Sequence, residues 1–301
     1  MLYTVLFLCI VVFLVCVLWM KQRSSHKILC ESFSNHAPRT DAESIFKKPY
    51  SDIYDLLMSY KEGIIIYQCD DVCDRARMDH FRTVQILDIG CGTGRHVCEF
   101  GKDYSTLGLD ISEDMLTLAK QKNERFAKTR LLLGDMHTKE IIRSHFCTHI
   151  TFFYFSFYYS ANPKQVLDNC KQWLVEDGYL VLELVDRDKF DPVLEPANPF
   201  PLLSIQNYSS VRKTTSDIYF NDMTYHSDFI VHNEDICYFQ EKLEFPTQSI
   251  ENQHILYLPS LVKTMNLLEE CGFTLQHTTH LSEINYNYHY LCYFQKKNLN
   301  H

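Results

Sequence analysis

The stretch "ILDIGCGTGRH", residues 86–96, sets three glycines, Gly90, Gly92 and Gly94, two apart behind an apolar run that contains Asp88. Glycine costs backbone entropy, so such a triad marks a backbone that a ligand approaches closely. At a strand-to-helix turn, main-chain N–H groups supply the contact. Two further carboxylates end apolar runs downstream: Asp110 in "STLGLD" and Asp135 in "LLLGDM". A carboxylate at the end of a second strand can accept both hydroxyls of a ribose, which points to a nucleoside-bearing cofactor.

A dinucleotide is one candidate. Its fingerprint, G-x-G-x-x-G, would require glycine at 95, where this chain has Arg95. The spacing G-x-G-x-G with Asp88 ahead of it resembles instead the first motif of the class I S-adenosylmethionine-dependent methyltransferases. That resemblance implies that Asp88 orients the loop and the methionine ammonium, that Asp110 takes the ribose, and that Asp135 receives the adenine amino group. It also implies that the backbone near Met136 meets the adenine edge. Acids suit a cationic sulfonium and an α-amino group, whereas they repel a pyrophosphate. The resemblance extends over about residues 50–297. It implies an α/β, Rossmann-like seven-stranded sheet of order 3-2-1-4-5-7-6 with the last strand antiparallel.

Methyl transfer is an in-line displacement, so the protein must align the acceptor, exclude water and, where needed, remove a proton. The exit of the fourth strand, "FFYFSFYYSANP", offers Ser156, Tyr158 and Tyr159. "ENQHILYLP" offers His254 as an acceptor-side base. His254, Tyr158 and Tyr159 are therefore the catalytic candidates, although so aromatic a run also reads as core. "YSDIYDLLMSYK" and "SFYYSANPKQVLDN" are similar to stretches of small-molecule enzymes that include sugar-amine N-methyltransferases. In those enzymes the tyrosine at the position of Tyr54 covers the methionine end of the cofactor. The NPPY or DPPY tetrad of amino-methylating nucleic-acid enzymes is absent from the sequence. Cys91 reads as a small filler of the turn, and Arg95 and His96 as packing or solvated residues.

The elements that must position these groups alternate. Apolar runs at 84–90, 105–110, 130–135, 148–157 and 178–186 read as strands, separated by helical patterns at 95–100, 112–126 and 163–174. Such alternation predicts a mainly parallel sheet covered on both faces. Residues 191–258 break the rhythm with alternating stretches, predicting an antiparallel β insert after strand five that acts as a lid or substrate-binding region. A helix ending near Gly272 and strands near 273–279 and 288–296 complete the domain. "YSDIYDLLMSY" reads as a helix capped at Ser51-Asp52.

Ahead of the domain, Leu2–Met20 runs 19 residues without a charge and is followed by Lys21, Arg23 and Lys27. This predicts a single transmembrane helix with the C-terminal side in the cytoplasm, a cleaved signal peptide being the weaker alternative. Residues 21–45 read as a linker and 46–301 as the methyltransferase domain. The 12 cysteines are irregularly spaced, and Cys69-x-x-x-Cys73 has no second pair at a zinc spacing. They read as reduced thiols, and no metal site is expected. A net charge of −9 argues against a broad nucleic-acid footprint. The expected function is methyl transfer from S-adenosylmethionine to N or O of a small molecule. The alternatives are a protein or lipid methyltransferase at the membrane, or a cofactor-binding scaffold without activity.

Overall fold

The computed structural model describes residues 37–58, 62–198 and 204–296. Residues 2–20 lie outside them, and among the described residues no helix is long and apolar enough to cross a membrane. The described residues from 38 onward form one compact unit.

Five strands rise in sequence: β1 (Gln85–Ile89), β2 (Ser105–Asp110), β3 (Thr129–Leu133), β4 (Cys147–Phe152) and β5 (Leu174–Val185). The sheet is completed by β10 (Phe273–His280) and β11 (His289–Lys296). Its order is β10-β11-β5-β4-β1-β2-β3, with β11 antiparallel to both neighbours and the remaining pairs parallel. Counting only this sheet's strands, that is the expected 3-2-1-4-5-7-6. Leu87, Ile150, Leu180 and Leu182 are fully buried at its centre. Burying such side chains on both faces is what makes these strands continuously apolar.

Helices α4 (Arg95–Phe100), α5 (Glu113–Asn123), α6 (Pro163–Trp173) and α7 (Leu261–Glu270) connect these strands. Ser112 caps α5 by accepting from the Met115 N–H, and Asn162 caps α6 by accepting from the Gln165 N–H. The insert between β5 and α7 forms a second, four-stranded antiparallel sheet of β6 (Thr215–Tyr219), β7 (Thr224–Val231), β8 (Ile236–Glu244) and β9 (Ser249–Tyr257). Along β9 the even-numbered residues 250–256 are buried and their neighbours are not, the period of a half-buried strand.

Three boundaries differ from the sequence expectation. The folded unit begins within the expected linker: the Arg39 N–H donates to Glu251 O and Arg39 O accepts from the Gln253 N–H, so this residue lengthens the edge beside β9. Helix α1 (Ala42–Ile45) follows and buries Ile45 completely. Helix α2 (Tyr50–Leu57) is preceded by Pro49 rather than capped at Ser51-Asp52; Ser51 lies inside the helix and is buried. Strand β4 stops at Phe152. The chain turns at Tyr154 (φ 51°), whose N–H donates to Glu183 Oε2 at 2.7 Å, and Ser156–Tyr159 form a 3-10 turn. A helix not anticipated, α3 (Glu62–Arg75), packs Ile65, Cys69 and Val72 inward at helical spacing.

Candidate active site

The C-terminal ends of β1, β2 and β3, the turn after β4, helices α1 and α2 and the inner side of the insert enclose one cavity of about 800 Å³. Such a crevice outside the carboxyl ends of the strands is where open α/β sheets bind ligands.

The three glycines hold their places for different reasons. A Cβ on Gly90 (φ 70°) would stand 2.6 Å from Ser156 Cβ, so glycine there lets the β1 turn pass beneath the β4 exit. Gly94 (φ 75°) does not line the cavity; a Cβ there would meet Ala119 Cβ and Asn123 Nδ2, each at 2.8 Å, so its absence brings α4 against α5. Gly92 lines the cavity, and its N–H donates to Asp110 Oδ2 at 2.7 Å.

Asp110 also accepts from the Ser112 N–H at 2.8 Å, which fixes its carboxylate at the cavity wall. Burial raises its pKa, against the pull of those backbone donors. Asp135 is exposed and lines the cavity beside Met136; its Oδ1 accepts from the His137 N–H at 2.9 Å. Tyr54 of α2 faces the same space. Asp88 stands behind the lining, accepting from Thr151 Oγ1 at 2.9 Å, and burial pushes its carboxyl up to about 7. Among the described residues no Lys or Arg lines this cavity. The donor set therefore fits a cationic sulfonium cofactor and offers no counter-charge to a pyrophosphate.

Across the cavity His254 is buried on β9. Its Nε2–H donates to Glu241 Oε2 at 2.6 Å, which leaves Nδ1 to accept from the Tyr159 hydroxyl. Glu241 is buried too, taking the Tyr50 and Tyr225 hydroxyls at 2.9 and 2.5 Å and Asn252 Nδ2 at 3.2 Å. Burial pushes the Glu241 carboxyl up, but the adjoining His254 and the hydrogen bonds from His254, Tyr225 and Tyr50 outweigh it and hold the pKa below its ordinary value. Burial, then the Glu241 charge, keeps Tyr159 protonated.

Tyr158 does not belong with this group. Its ring is buried in the core, and its hydroxyl accepts from the Val185 N–H at 3.1 Å, because the 3-10 turn sends neighbouring rings in different directions. The acceptor-side expectation for Tyr158 is corrected accordingly. His96 is a packing residue. It stacks on Phe153 with ring centres 3.8 Å apart, and burial with the Arg95 charge lowers its pKa to about 3.

Sequence reasoning missed Glu241 and Glu183. Glu241 shares a strand face with Cys237, Phe239 and Leu243. A lone acid on an apolar face was a signal available in "ICYFQEKLE". Glu183 interrupts the apolar run of β5, where it accepts from Gln68 Nε2 at 2.8 Å and pairs with His289 Nδ1 at 2.9 Å.

A family model described as a methyltransferase domain matches residues 86–178. Residues 86–178 are thus similar to a methyltransferase domain. Within it lie the Gly90–Gly94 turn, Asp110, Asp135 and Tyr159. The domain is 33% identical over 93 residues to a dTDP-3-amino-3,4,6-trideoxy-alpha-D-glucopyranose N,N-dimethyltransferase of Streptomyces venezuelae. That match covers 31% of this chain and 38% of the relative, so the chain spans well under half of the relative's length. In fold, the chain is similar to an S-adenosylmethionine-dependent methyltransferase of Clostridium acetobutylicum (TM-score 0.62, 16% identity, 83% of this chain and 98% of that one). It is also similar to Streptomyces venezuelae DesVI (TM-score 0.59, 17% identity, 84% and 100%). The insert strands that carry Glu241 and His254 lie outside the segment that the family model matches.

Proposed function

We propose that the chain transfers a methyl group from S-adenosylmethionine to a nitrogen or oxygen of a small molecule. The observation that carries this reading is one cavity with the acid-lined glycine turn on one wall and a Glu241–His254–Tyr159 relay on the other. The named relative, a sugar N,N-dimethyltransferase, supports the acceptor class.

Tyr54, Gly90, Gly92, Asp110, Asp135 and Met136 would hold the cofactor, with Asp88 and Gly94 fixing the turn from behind. When bound, the cofactor supplies a methyl group made electrophilic by its sulfonium. The chain's own part is to exclude water and manage a proton. Glu241 orients His254 through Nε2–H, so Nδ1 is the basic atom facing Tyr159 and the cavity. A proton from an acceptor N–H or O–H reaches Nδ1 directly or through the Tyr159 hydroxyl, and the imidazolium so formed rests on the Glu241 carboxylate.

Residues 2–20, uncharged and followed by Lys21, Arg23 and Lys27, are proposed to tether the domain to the cytoplasmic side of a membrane. Release of the full chain from cell membranes by alkaline carbonate would sink that part.

Calorimetric titration of the full chain in detergent tests the cofactor reading. S-adenosylmethionine and S-adenosylhomocysteine should bind and NAD should not. His254→Ala should keep both affinities while transfer to the acceptor falls roughly 100-fold or more. A His254→Ala protein that loses cofactor affinity would remove His254 from the acceptor side.

A further inference from the structure

The part of the cavity away from the glycine turn has walls of a distinct kind. Phe190, Phe229, Phe239 and Leu256 form its apolar surface, and Asp191 and Glu195 are its charged groups. Phe190 and Phe229 meet edge to face with ring centres 4.9 Å apart, and the Phe239 ring lies 5.6 Å from that of His254. The apolar surface therefore runs up to the proton relay.

Among the described residues no Lys or Arg lines these walls, and Arg212 interacts with Asp191 from outside the lining. Arg212 lies over the Phe190 and Phe229 rings, at 5.2 and 5.5 Å, outside the lining, and donates to Phe190 O at 2.8 Å. Arg95 donates to Met58 O at 3.0 Å. Asp191 is held in place by Gln206 Nε2 at 2.9 Å and Ser204 Oγ at 2.5 Å, so its negative charge is a fixed feature of the wall.

We propose that the acceptor is an apolar, phosphate-free amine, a class different from the nucleotide-linked sugar named for the Streptomyces relative. The inference rests on the reading of the chain as a methyltransferase. A diphosphate placed here would be stripped of water beside Asp191 and Glu195 with no cation in the lining to meet it, which is unfavourable for each charge buried. An ammonium group gains on each count. The acids attract it, the aromatic faces stabilise it, and the His254–Glu241 pair accepts the proton it must lose before its nitrogen lone pair is free. An apolar body fills the space between the phenylalanines.

The test uses the full chain in detergent, saturated with S-adenosylhomocysteine, and three probes titrated by calorimetry: tryptamine, its anionic counterpart indole-3-acetate, and thymidine diphosphate. Tryptamine should bind at least tenfold more tightly than indole-3-acetate, and thymidine diphosphate should not bind. Phe239→Ala should weaken tryptamine at least fivefold and leave S-adenosylhomocysteine unchanged. The proposal is overturned if thymidine diphosphate binds, if the two indoles bind alike, or if tryptamine fails to bind the loaded protein. It is overturned as well if Phe239→Ala leaves tryptamine affinity intact. Failure of S-adenosylhomocysteine itself to bind is read in a separate titration; it removes the methyltransferase reading and this inference with it.

Discussion

The two walls of the cavity are built in opposite ways. On the glycine side, the groups come from strand ends and the turns that follow them. Asp110 takes N–H groups 18 and 2 residues away, and Asp135 takes one 2 residues away. On the insert side, the relay joins Tyr159 to His254 across 95 residues and Tyr50 to Glu241 across 191. The first wall is a product of local backbone geometry, the second of tertiary packing between two sheets. On the proposed reading the first wall holds the cofactor and the second wall meets the acceptor.

The largest test of that division is Asp110→Ala. The variant removes the one carboxylate fixed by the turn it serves, leaving the Gly92 and Ser112 N–H groups unpaired at roughly 1–3 kcal/mol each. S-adenosylhomocysteine affinity should fall roughly 100-fold or more, about 3 kcal/mol, while far-UV circular dichroism reports a folded chain. Asp135→Ala, at an exposed carboxylate, should lose much less. Equal losses at the two acids would break the claim that the turn and Asp110 form the rigid part of the site.

Asp88 offers a smaller test on the same wall, because it serves the turn from behind the cavity. Burial places its folded-state pKa near 7, with the Thr151 hydrogen bond pulling the other way and the Asp110 charge adding to the rise. An unfolded Asp titrates near ~3.9. Between those values the folded chain keeps a proton that the unfolded chain has lost. Stability from this group therefore rises as pH falls from 7 toward 4, by up to roughly 1.4 kcal/mol per pH unit, and it is lost as pH rises through 7. Asp88→Asn removes the charge and should show its greatest advantage over the natural chain above pH 7. That advantage should shrink steadily toward pH 5 in urea denaturation. A difference independent of pH would show that Asp88 is solvated rather than buried.

How far the sequence could be read follows the same line. The sheet order, the insert and the residues of the glycine wall were legible, because apolar runs, a glycine triad and strand-end acids are local patterns. Helix α3 was not, although Ile65, Cys69 and Val72 keep helical spacing; its charged residues dilute the stripe. The position of His254 was legible and its partner was not. Glu241 lies 13 residues away on the neighbouring strand, and only the pairing of Phe239 with His254 in the β8–β9 ladder brings the two together. Strand β4 read too long because aromatic residues suit a strand and a 3-10 turn alike. What divides them is the turn at Tyr154, held by a carboxylate from another strand.

That turn also separates two adjacent tyrosines that the sequence could not rank, and they give the smallest test. Tyr159→Phe takes away the hydroxyl against His254 Nδ1 and should slow transfer while leaving cofactor affinity alone, if the insert wall carries the proton. Tyr158→Phe takes away a hydroxyl that accepts from the backbone of β5, so its effect should be confined to the fold. The loss is one hydrogen bond to the Val185 N–H, about 1 kcal/mol in chemical denaturation, with kcat and KM unchanged. The ring keeps its packing in both variants, so neither should unfold the chain. If Tyr158→Phe slowed transfer as much as Tyr159→Phe, the hydroxyl that faces the acceptor would have been assigned to the wrong ring. The relay would then have to run through β5 instead of the insert.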